Sequence, residues 1–360
     1  MKQPFFTYVG MKDAEEQHLH TIELLSRLQN NPDSLQALHN LFSYNETRLK
    51  TTVFGLDFVN PVGVAAGFDK WGRAVNTLLA FGFSHVEVGT VTPLAQPGNP
   101  TPRMFRLPQD TALINRFGFN NGGGEALVKT LAHYSPRMFG GIIGGNLGAN
   151  KTSSEKGDPV PDYVSLIKTL HASVDYLTMN ISSPNTARLR ELHGREALDS
   201  LLSSVQEARK KHCPAKPLLL KIAPDLTNDE IDDILEAVKK HSIDGIIATN
   251  TTIERPESLT SEHKAETGGL SGEPVRKRST EIISYIYKQT QGTLPIVGVG
   301  GIMTSADAIE KLQAGASLVQ IYTGLVYEGP ALATRICLDL AQYLEKEGLS
   351  SVADLTGTAQ

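Results

Sequence analysis

Pro217-Leu218-Leu219-Leu220-Lys221-Ile222-Ala223, then residues 228–240, then Gly245-Ile246-Ile247-Ala248-Thr249-Asn250-Thr251 form a strand, a helix and a strand in succession. The first run is almost continuously apolar, the pattern of a strand buried on both faces of a parallel sheet. Between the runs, Ile231, Ile234, Leu235 and Val238 recur at spacings of three and four, which predicts a helix with one buried face. Thr227 stands where its hydroxyl can cap the first turn. Two parallel strands joined through a helix are the repeating unit of α/β folds.

The unit recurs along the chain. Short apolar or glycine-rich runs at 62–67, 85–90, 141–148, 175–182, 217–223, 245–251, 295–301 and 318–324 alternate with helical patterning. Eight such repeats predict an α/β fold closed as a (β/α)8 TIM barrel, with a doubly wound open sheet as the alternative topology. Residues 1–50 differ. Leu19, Ile22, Leu25 and Leu28 mark one face of a helix over 15–30, and Leu35, Leu38 and Leu41 mark a second over 34–42. Residues 51–60 fit a small hairpin plugging the barrel floor. The division is a small N-terminal two-helix extension, 1–50, and a catalytic barrel, 51–360.

Composition narrows the function. With 360 residues, 40% hydrophobic and 20% charged, the chain can bury a large core. A net charge of -5, a pI near 6.1 and no Lys/Arg run longer than three residues leave a nucleic acid without its electrostatic footprint. Cys213 and Cys337 lie outside any C-x-x-C pattern, which suits a reducing compartment and offers neither a disulfide framework nor a thiolate metal site. The scattered histidines form no H-E-x-x-H, so no metal is expected. No apolar run reaches the roughly 18 residues of a membrane span. Asp13, Glu15 and Glu16 argue against a transit peptide, and the expectation is an intracellular protein.

In barrels of this type the chemistry gathers at the carboxyl ends of the strands. Here those ends supply, in order, Lys70, Thr90, Asn146, Asn180, Lys221, Thr249-Asn250, Gly300-Gly301 and Tyr322-Thr323. Any one of them is equally a helix cap; eight polar ends together mark a site. Three long connections are candidates to cover it: 91–140, the loop Ser182-Ser183-Pro184-Asn185-Thr186, and 252–273.

Gly298-Val299-Gly300-Gly301 closes strand seven, and Gly268-Gly269-Leu270-Ser271-Gly272 is read as the lead into a helix. Both let backbone N–H groups approach a phosphate, and both are equally read as tight turns. Met303 stands where a dinucleotide fingerprint needs its third glycine, so a mononucleotide such as FMN suits the pattern better than NAD. Lys70 and Lys221 end strands one and five, on opposite sides of the mouth, where a cation can neutralise a carboxylate or stabilise an anionic reduced flavin. A solvated helix-start lysine is the other reading, and it fits Lys221 least because that residue lies inside an apolar run. Asn115, Asn180, Asn185 and Asn250 can read a planar ring of carbonyl and N–H groups if they converge; singly, each is a turn or cap residue. Ser183 is the nucleophile or base candidate, but no neighbouring histidine or acid completes a triad. It needs Thr186 or a water as partner and a closed site, and without relatives Ser182-Ser183-Pro184-Asn185 reads as a turn before it reads as a catalytic element.

The motifs Ala65-Ala66-Gly67-Phe68-Asp69-Lys70, Glu87-Val88-Gly89-Thr90-Val91-Thr92-Pro93, Asn180-Ile181-Ser182-Ser183-Pro184-Asn185, Lys221-Ile222-Ala223-Pro224-Asp225 and Ala248-Thr249-Asn250-Thr251-Thr252 resemble those of dihydroorotate dehydrogenases, as do 114–120, 267–272, 298–302 and Ile321-Tyr322-Thr323-Gly324. The likeness spans nearly the whole barrel in order. It implies FMN held in a (β/α)8 barrel and oxidation of dihydroorotate to orotate in pyrimidine biosynthesis. Serine at 183, rather than the cysteine of soluble class 1, and the N-terminal helices place the chain with class 2, which is membrane-associated and uses quinone. By that resemblance Ser183 removes the C5 proton while the C6 hydride passes to flavin N5, with Thr186 in the proton path. Lys70, Asn115, Arg116, Phe117, Gly118, Phe119, Asn180, Asn185, Asn250 and Thr251 hold the substrate. Ala66, Gly67, Lys70, Thr90, Asn146, Asn180, Lys221, Thr249, Gly272, Gly301, Tyr322 and Thr323 contact the flavin.

The resemblance further implies that residues 13–45 rest on the membrane and form a quinone tunnel, with His18, Arg106 and Tyr322 at its quinone end. On residues alone, helices that simply cap the barrel explain the same pattern. Phe5, Phe6 and Tyr8 are the only large apolar cluster before Asp13. The implied location is peripheral, on the cytoplasmic face of a bacterial inner membrane, with no obligate protein partner. Rival readings are another FMN barrel reductase, a sugar-phosphate isomerase or synthase, and a non-catalytic binding protein. A tRNA-reducing relative calls for a basic face and a cysteine acid, and the sequence has neither.

Overall fold

The computed structural model describes residues 3–7, 13–133 and 138–360, so Tyr8 of the N-terminal apolar cluster lies outside the described residues. In chain order the strands are β1 (Thr51–Val53), β2 (Leu56–Phe58), β3 (Val62–Val64), β4 (His85–Val91), β5 (Met104–Leu107), β6 (Ala112–Asn115), β7 (Ile142–Leu147), β8 (Tyr176–Asn180), β9 (Leu218–Ile222), β10 (Gly245–Ala248), β11 (Gly269–Gly272), β12 (Ile296–Val299) and β13 (Leu318–Ile321). Of these, β3, β4, β7, β8, β9, β10, β12 and β13 pair in parallel in that order. Pairing of β13 with β3, Ile321 opposite Val64, closes the ring and rules out the open sheet. All eight apolar runs of the sequence contribute a barrel strand.

The helix between β9 and β10 shows how local sequence sets an element. Thr227 Oγ1 accepts the Glu230 N–H at 3.3 Å while the Glu230 carboxylate accepts the Thr227 N–H at 2.8 Å, a reciprocal cap for Asn228–Lys240. Ile231, Ile234 and Val238 are buried against the barrel, as their spacing requires. Inside the ring, the β1–β2 hairpin carries Val53 and Phe58 into the floor, where they pack with Tyr176, Leu219, Ile247, Val297 and Leu318. Each large side chain so buried contributes roughly 1.5–3 kcal/mol. The floor is therefore a dry plug, and the opposite end is left for polar groups.

One expectation needs correction. The N-terminal helices, α1 (Ala14–Gln29) and α2 (Pro32–Phe42), exist and are capped by Asp13 and Asn31, but their buried faces are not those expected. On α1, Ile22 and Leu25 are buried together with Gln17, His18, Thr21 and Gln29, whereas Leu19 and Leu28 are 42% and 36% exposed. Hydrogen bonds explain the shift. Gln29 donates to the Arg73 carbonyl at 3.0 Å and accepts the Asn76 N–H at 2.6 Å, and Thr77 Oγ1 donates to the Leu25 carbonyl at 2.8 Å. Polar residues on the inner face are thus satisfied, and burying them costs little. On α2, Leu35 is buried and Leu41 is 72% exposed.

Residues 268–272 lead into a helix as expected, through Glu273–Val275 to Arg276–Gln289, and they also form a strand that the sequence did not announce. Gly269–Gly272 is strand β11 and joins an antiparallel sheet in the order β11, β6, β5, with Leu270 opposite Ile114 and Phe105 opposite Ile114 on its other side. Long connections after the second and sixth barrel strands thereby build one lid over the mouth. Phe105, Leu107, Ala112, Ile114, Leu259 and Leu270 give it a core of its own. Among the described residues, no helix is long and apolar enough to cross a membrane.

Candidate active site

Beneath that lid, a cavity opens at the carboxyl ends of the barrel strands. Its lining includes Lys70, Thr90, Asn180, Lys221, Thr249, Asn250, Gly300, Gly301, Tyr322 and Thr323 from the strand ends, and Ser183, Pro184 and Asn185 from the fourth loop. The lid adds Asn115, Phe117, Gly118, Phe119 and Gly272, and Ala66, Gly67 and Thr251 complete the predicted set found there. Asn146, Arg116, His18 and Arg106 do not line it.

Asn146 stands one layer lower, as support. Thr90 Oγ1 donates to Asn146 Oδ1 at 2.5 Å, Asn180 Nδ2 donates to Thr90 Oγ1 at 2.9 Å and to Asn146 Oδ1 at 3.2 Å, and Asn250 Nδ2 reaches Ser182 Oγ at 2.9 Å. Below them the fully buried Glu87 accepts from Asn146 Nδ2 at 2.7 Å, Tyr176 Oη at 3.0 Å, Thr178 Oγ1 at 3.3 Å and Gln320 Nε2 at 3.1 Å. The asparagines therefore converge, and their amide orientations are fixed from beneath by a carboxylate whose donors are all provided. Across the mouth, Asn185 Nδ2 donates to Asn115 Oδ1 at 3.2 Å, linking the fourth loop to the lid. Arg116 faces outward: its guanidinium pairs with Glu266 at 2.7 Å and lies over the Phe105 ring at 4.6 Å.

Two buried lysines set the electrostatics. Lys70 donates to Asn120 Oδ1, and its ammonium lies 3.7 Å from the centre of the Phe117 ring. Burial pulls it down to about 7; Glu15 opposes the shift and Arg103 adds to it. Lys221 is also pushed down by burial, with Glu87 opposing, and has no hydrogen-bond or ion-pair partner among the described residues. An anion in the cavity would relieve both. Ser183 is buried and its Oγ accepts the Asn185 N–H at 3.3 Å. Thr186 is buried nearby in sequence, with Oγ1 unpaired among the described residues.

Tyr322 also belongs to an aromatic cluster with His18 and Phe68. The His18 ring stacks with Tyr322 at 6.4 Å and meets Phe68 edge-on at 5.3 Å. Arg106 donates to Gln17 Oε1 at 2.6 Å and to the Phe6 carbonyl at 2.8 Å, which holds α1 and the N-terminal segment to the lid. The three predicted quinone-site residues thus gather between α1, β5 and the barrel. Burial, then the charge of Lys70, lowers His18 to about 4, and a backbone hydrogen bond at Phe68 partly opposes this. Because the folded value lies below the ordinary 6.5, the unfolded chain takes up the proton first. The stabilisation from neutral His18 is complete above about pH 6.5 and is lost as the pH falls toward 4. His18→Phe is expected to remove up to roughly 3 kcal/mol of the acid destabilisation over that window. Urea denaturation at successive pH values reads this, and an unchanged pH slope would refute it.

Sequence reasoning gave no site role of its own to Asn120, Glu87, Gln320, Met104, Leu113 or Ser271. Glu87 and Gln320 carried a usable signal, the same one that exposed Lys221: a polar residue inside a buried apolar strand. Met104, Leu113 and Ser271 carried none, because their roles exist only once β5, β6 and β11 have paired.

Comparison with known proteins identifies the family. The sequence model of the family described as dihydroorotate dehydrogenase matches residues 48–344. A protein of Christiangramia forsetii named dihydroorotate dehydrogenase (quinone) is 49% identical over 337 residues, covering 94% of this chain and 96% of that protein. One of the same name from Rhodospirillum rubrum is 51% identical over 311 residues, 86% of this chain and 83% of its own. A crystal structure of DHODH from Eimeria tenella in complex with ferulenol superposes with a TM-score of 0.88 at 37% identity, covering 97% of this chain and 96% of that one. Matched by the family model over most of its length, and by relatives near half identical along nearly all of it, the chain belongs to the dihydroorotate dehydrogenase family.

Proposed function

We propose that this protein is a dihydroorotate dehydrogenase (quinone), oxidising (S)-dihydroorotate to orotate in pyrimidine biosynthesis and passing the electrons to a membrane quinone. The observation that carries the reading is the convergence in one cavity of Ser183, the asparagines 115, 180, 185 and 250, and two buried lysines. The division of labour is an extension, 1–50, serving quinone and membrane, and a catalytic barrel, 51–360.

The cavity fits FMN. Gly272 and Gly301 line one end of it with φ of 102° and 72°, and a Cβ on Gly301 would lie 2.8 Å from the Arg276 nitrogen, so glycine is needed there and its backbone borders the cavity without a side chain. Gly272, Gly301, Tyr322 and Thr323 would hold the phosphate, and Ala66, Gly67, Thr90, Asn180, Lys221 and Thr249 the ring system, with Asn146 bracing Thr90 and Asn180. Bound there, FMN supplies the two-electron acceptor that takes the substrate hydride and hands the electrons on. Lys221 offers its positive charge to that ring. Lys70 and the four asparagines bind and orient the substrate, whose carboxylate Lys70 can neutralise. Thr251 and the 117–119 segment close around it, and Arg116 steadies that segment from outside through Glu266. Ser183 Oγ removes the C5 proton, with Thr186 as the next group in its path. His18, Arg106 and Tyr322 border the quinone, and α1 and α2 make a peripheral contact with the cytoplasmic face of the membrane.

Stopped-flow mixing tests substrate and acceptor separately. The holoprotein should bleach on mixing with dihydroorotate and regain its absorbance with quinone, but not with fumarate or NAD. A colourless protein, even with FMN added, would instead favour a sugar-phosphate enzyme.

A further inference from the structure

Lys311 stands in the last turn of the helix Ser305–Gln313 and is completely buried. Its ammonium donates to the Arg276 carbonyl at 3.3 Å, Ser279 Oγ at 3.1 Å and Thr280 Oγ1 at 3.1 Å, three neutral acceptors in the opening turns of the helix Arg276–Gln289. Among the described residues it forms no ion pair. The acids nearest in sequence are engaged elsewhere: Glu310, Glu273 and Asp307 contact the Arg276 guanidinium at 2.6, 3.0 and 3.5 Å. Burial drives Lys311 down to about 7, with Glu310 the leading opposing influence. A buried cation without a counter-charge is costly, and nothing in the packing of this helix pair requires one.

The other side of the same helical turn is the glycine end of β12. A Cβ on Gly301 would lie 2.5 Å from Arg276 Cα, one on Gly300 would lie 3.1 Å from Ser279 Cβ, and one on Gly298 would lie 3.5 Å from Lys311 Cβ. Gly300 and Gly301 line the cavity, together with Gly272 and Val275. The opening of the helix Arg276–Gln289 is therefore sandwiched between the glycine-lined end of the cavity and the Lys311 ammonium. The positive end of that helix's dipole favours an anion there.

We propose that Lys311 is the buried counter-charge of the cavity's phosphate end, a positioning residue that acts through the Arg276–Thr280 turn to favour a phosphorylated flavin over an unphosphorylated one. This rests on the FMN reading above. The full chain, freed of flavin, is titrated with FMN and with riboflavin by quenching of flavin fluorescence. Lys311→Met is expected to weaken FMN by roughly tenfold or more, the scale of one lost charge interaction in a partly shielded site. Riboflavin affinity should stay within about twofold. Lys311→Gln, which keeps a donor toward Ser279 and Thr280, should behave alike and separates charge from hydrogen bonding. Equal weakening of both flavins, no change in either, or failure of both variants to fold would overturn the proposal and leave Lys311 a packing residue. Wild-type protein that binds neither flavin would instead defeat the FMN reading itself.

Discussion

Ser183→Ala is expected to leave FMN bound with an unaltered visible spectrum and to slow its reduction by dihydroorotate by roughly two or more powers of ten, the usual scale for a lost general base. The hydroxyl is suited to such a test because little else depends on it. Among the described residues its one side-chain hydrogen bond is with the Asn185 N–H at 3.3 Å, a long contact inside a turn whose course is also held by Arg190, which donates to the Ser182 carbonyl at 3.1 Å and pairs with Asp225 at 2.6 Å. Removing one oxygen therefore leaves the loop anchored. Asn180 makes the contrast: it bonds Thr90, Asn146, Ser182 and Asn250, so its loss would disturb the whole asparagine layer and report on architecture as much as on chemistry. Orotate affinity in Ser183→Ala should hold within a few fold, since the groups that read the ring remain. Reduction at a near-normal rate would sink the assignment of Ser183 as base.

The barrel was legible because its strands are buried on both faces and its helices carry their own caps, so local pattern and final structure agree. Lys221 was legible for a related reason: a cation inside Leu218-Leu219-Leu220-Lys221-Ile222 has to be accounted for. The lid was not legible. β5, β6 and β11 are four residues each, and β11 lies more than 150 positions from β6, so neither periodicity nor turn chemistry announces their pairing. For the same reason Arg116 could not be told from its neighbours Asn115 and Phe117. Strand alternation sends its side chain outward to Glu266, and that alternation is known only once β6 is.

The N-terminal helices show the opposite failure, in which a correct period gave the wrong face. Hydrophobic spacing assumes that the inner face of a helix is apolar, whereas α1 turns Gln17, His18, Thr21 and Gln29 inward and satisfies Thr21 and Gln29 with backbone groups. Leucines displaced from that face are left at the surface. If α1 and α2 rest on a membrane as proposed, these leucines are the side chains that would meet the lipid.

Replacing Leu24, Leu28 and Leu41 together with glutamine is accordingly expected to lower binding to phospholipid vesicles by about two powers of ten. Leu24 and Leu28 stand four residues apart on one edge of α1 and are 37% and 36% exposed; Leu41, at 72%, ends α2 beside it in sequence. Moving the exposed part of three leucines from water into lipid releases roughly 2–4 kcal/mol, from about 25 cal/mol per Å² of apolar surface. Folding should be little affected, because these side chains make only part of their contacts in the protein. The kinetic consequence separates two roles for α1. If the helices serve as a membrane foot, the triple variant should keep its rate of flavin reduction by dihydroorotate and its reoxidation by a short-chain, water-soluble quinone, while reoxidation by a long-chain quinone embedded in vesicles falls with the binding. His18 and Tyr322, a stacked pair, are untouched by the change, so an equal loss with both quinones would mean that the leucines shape the tunnel rather than the foot. Vesicle binding at the wild-type level would reject the membrane contact outright, and α1 and α2 would then be a cover for the barrel.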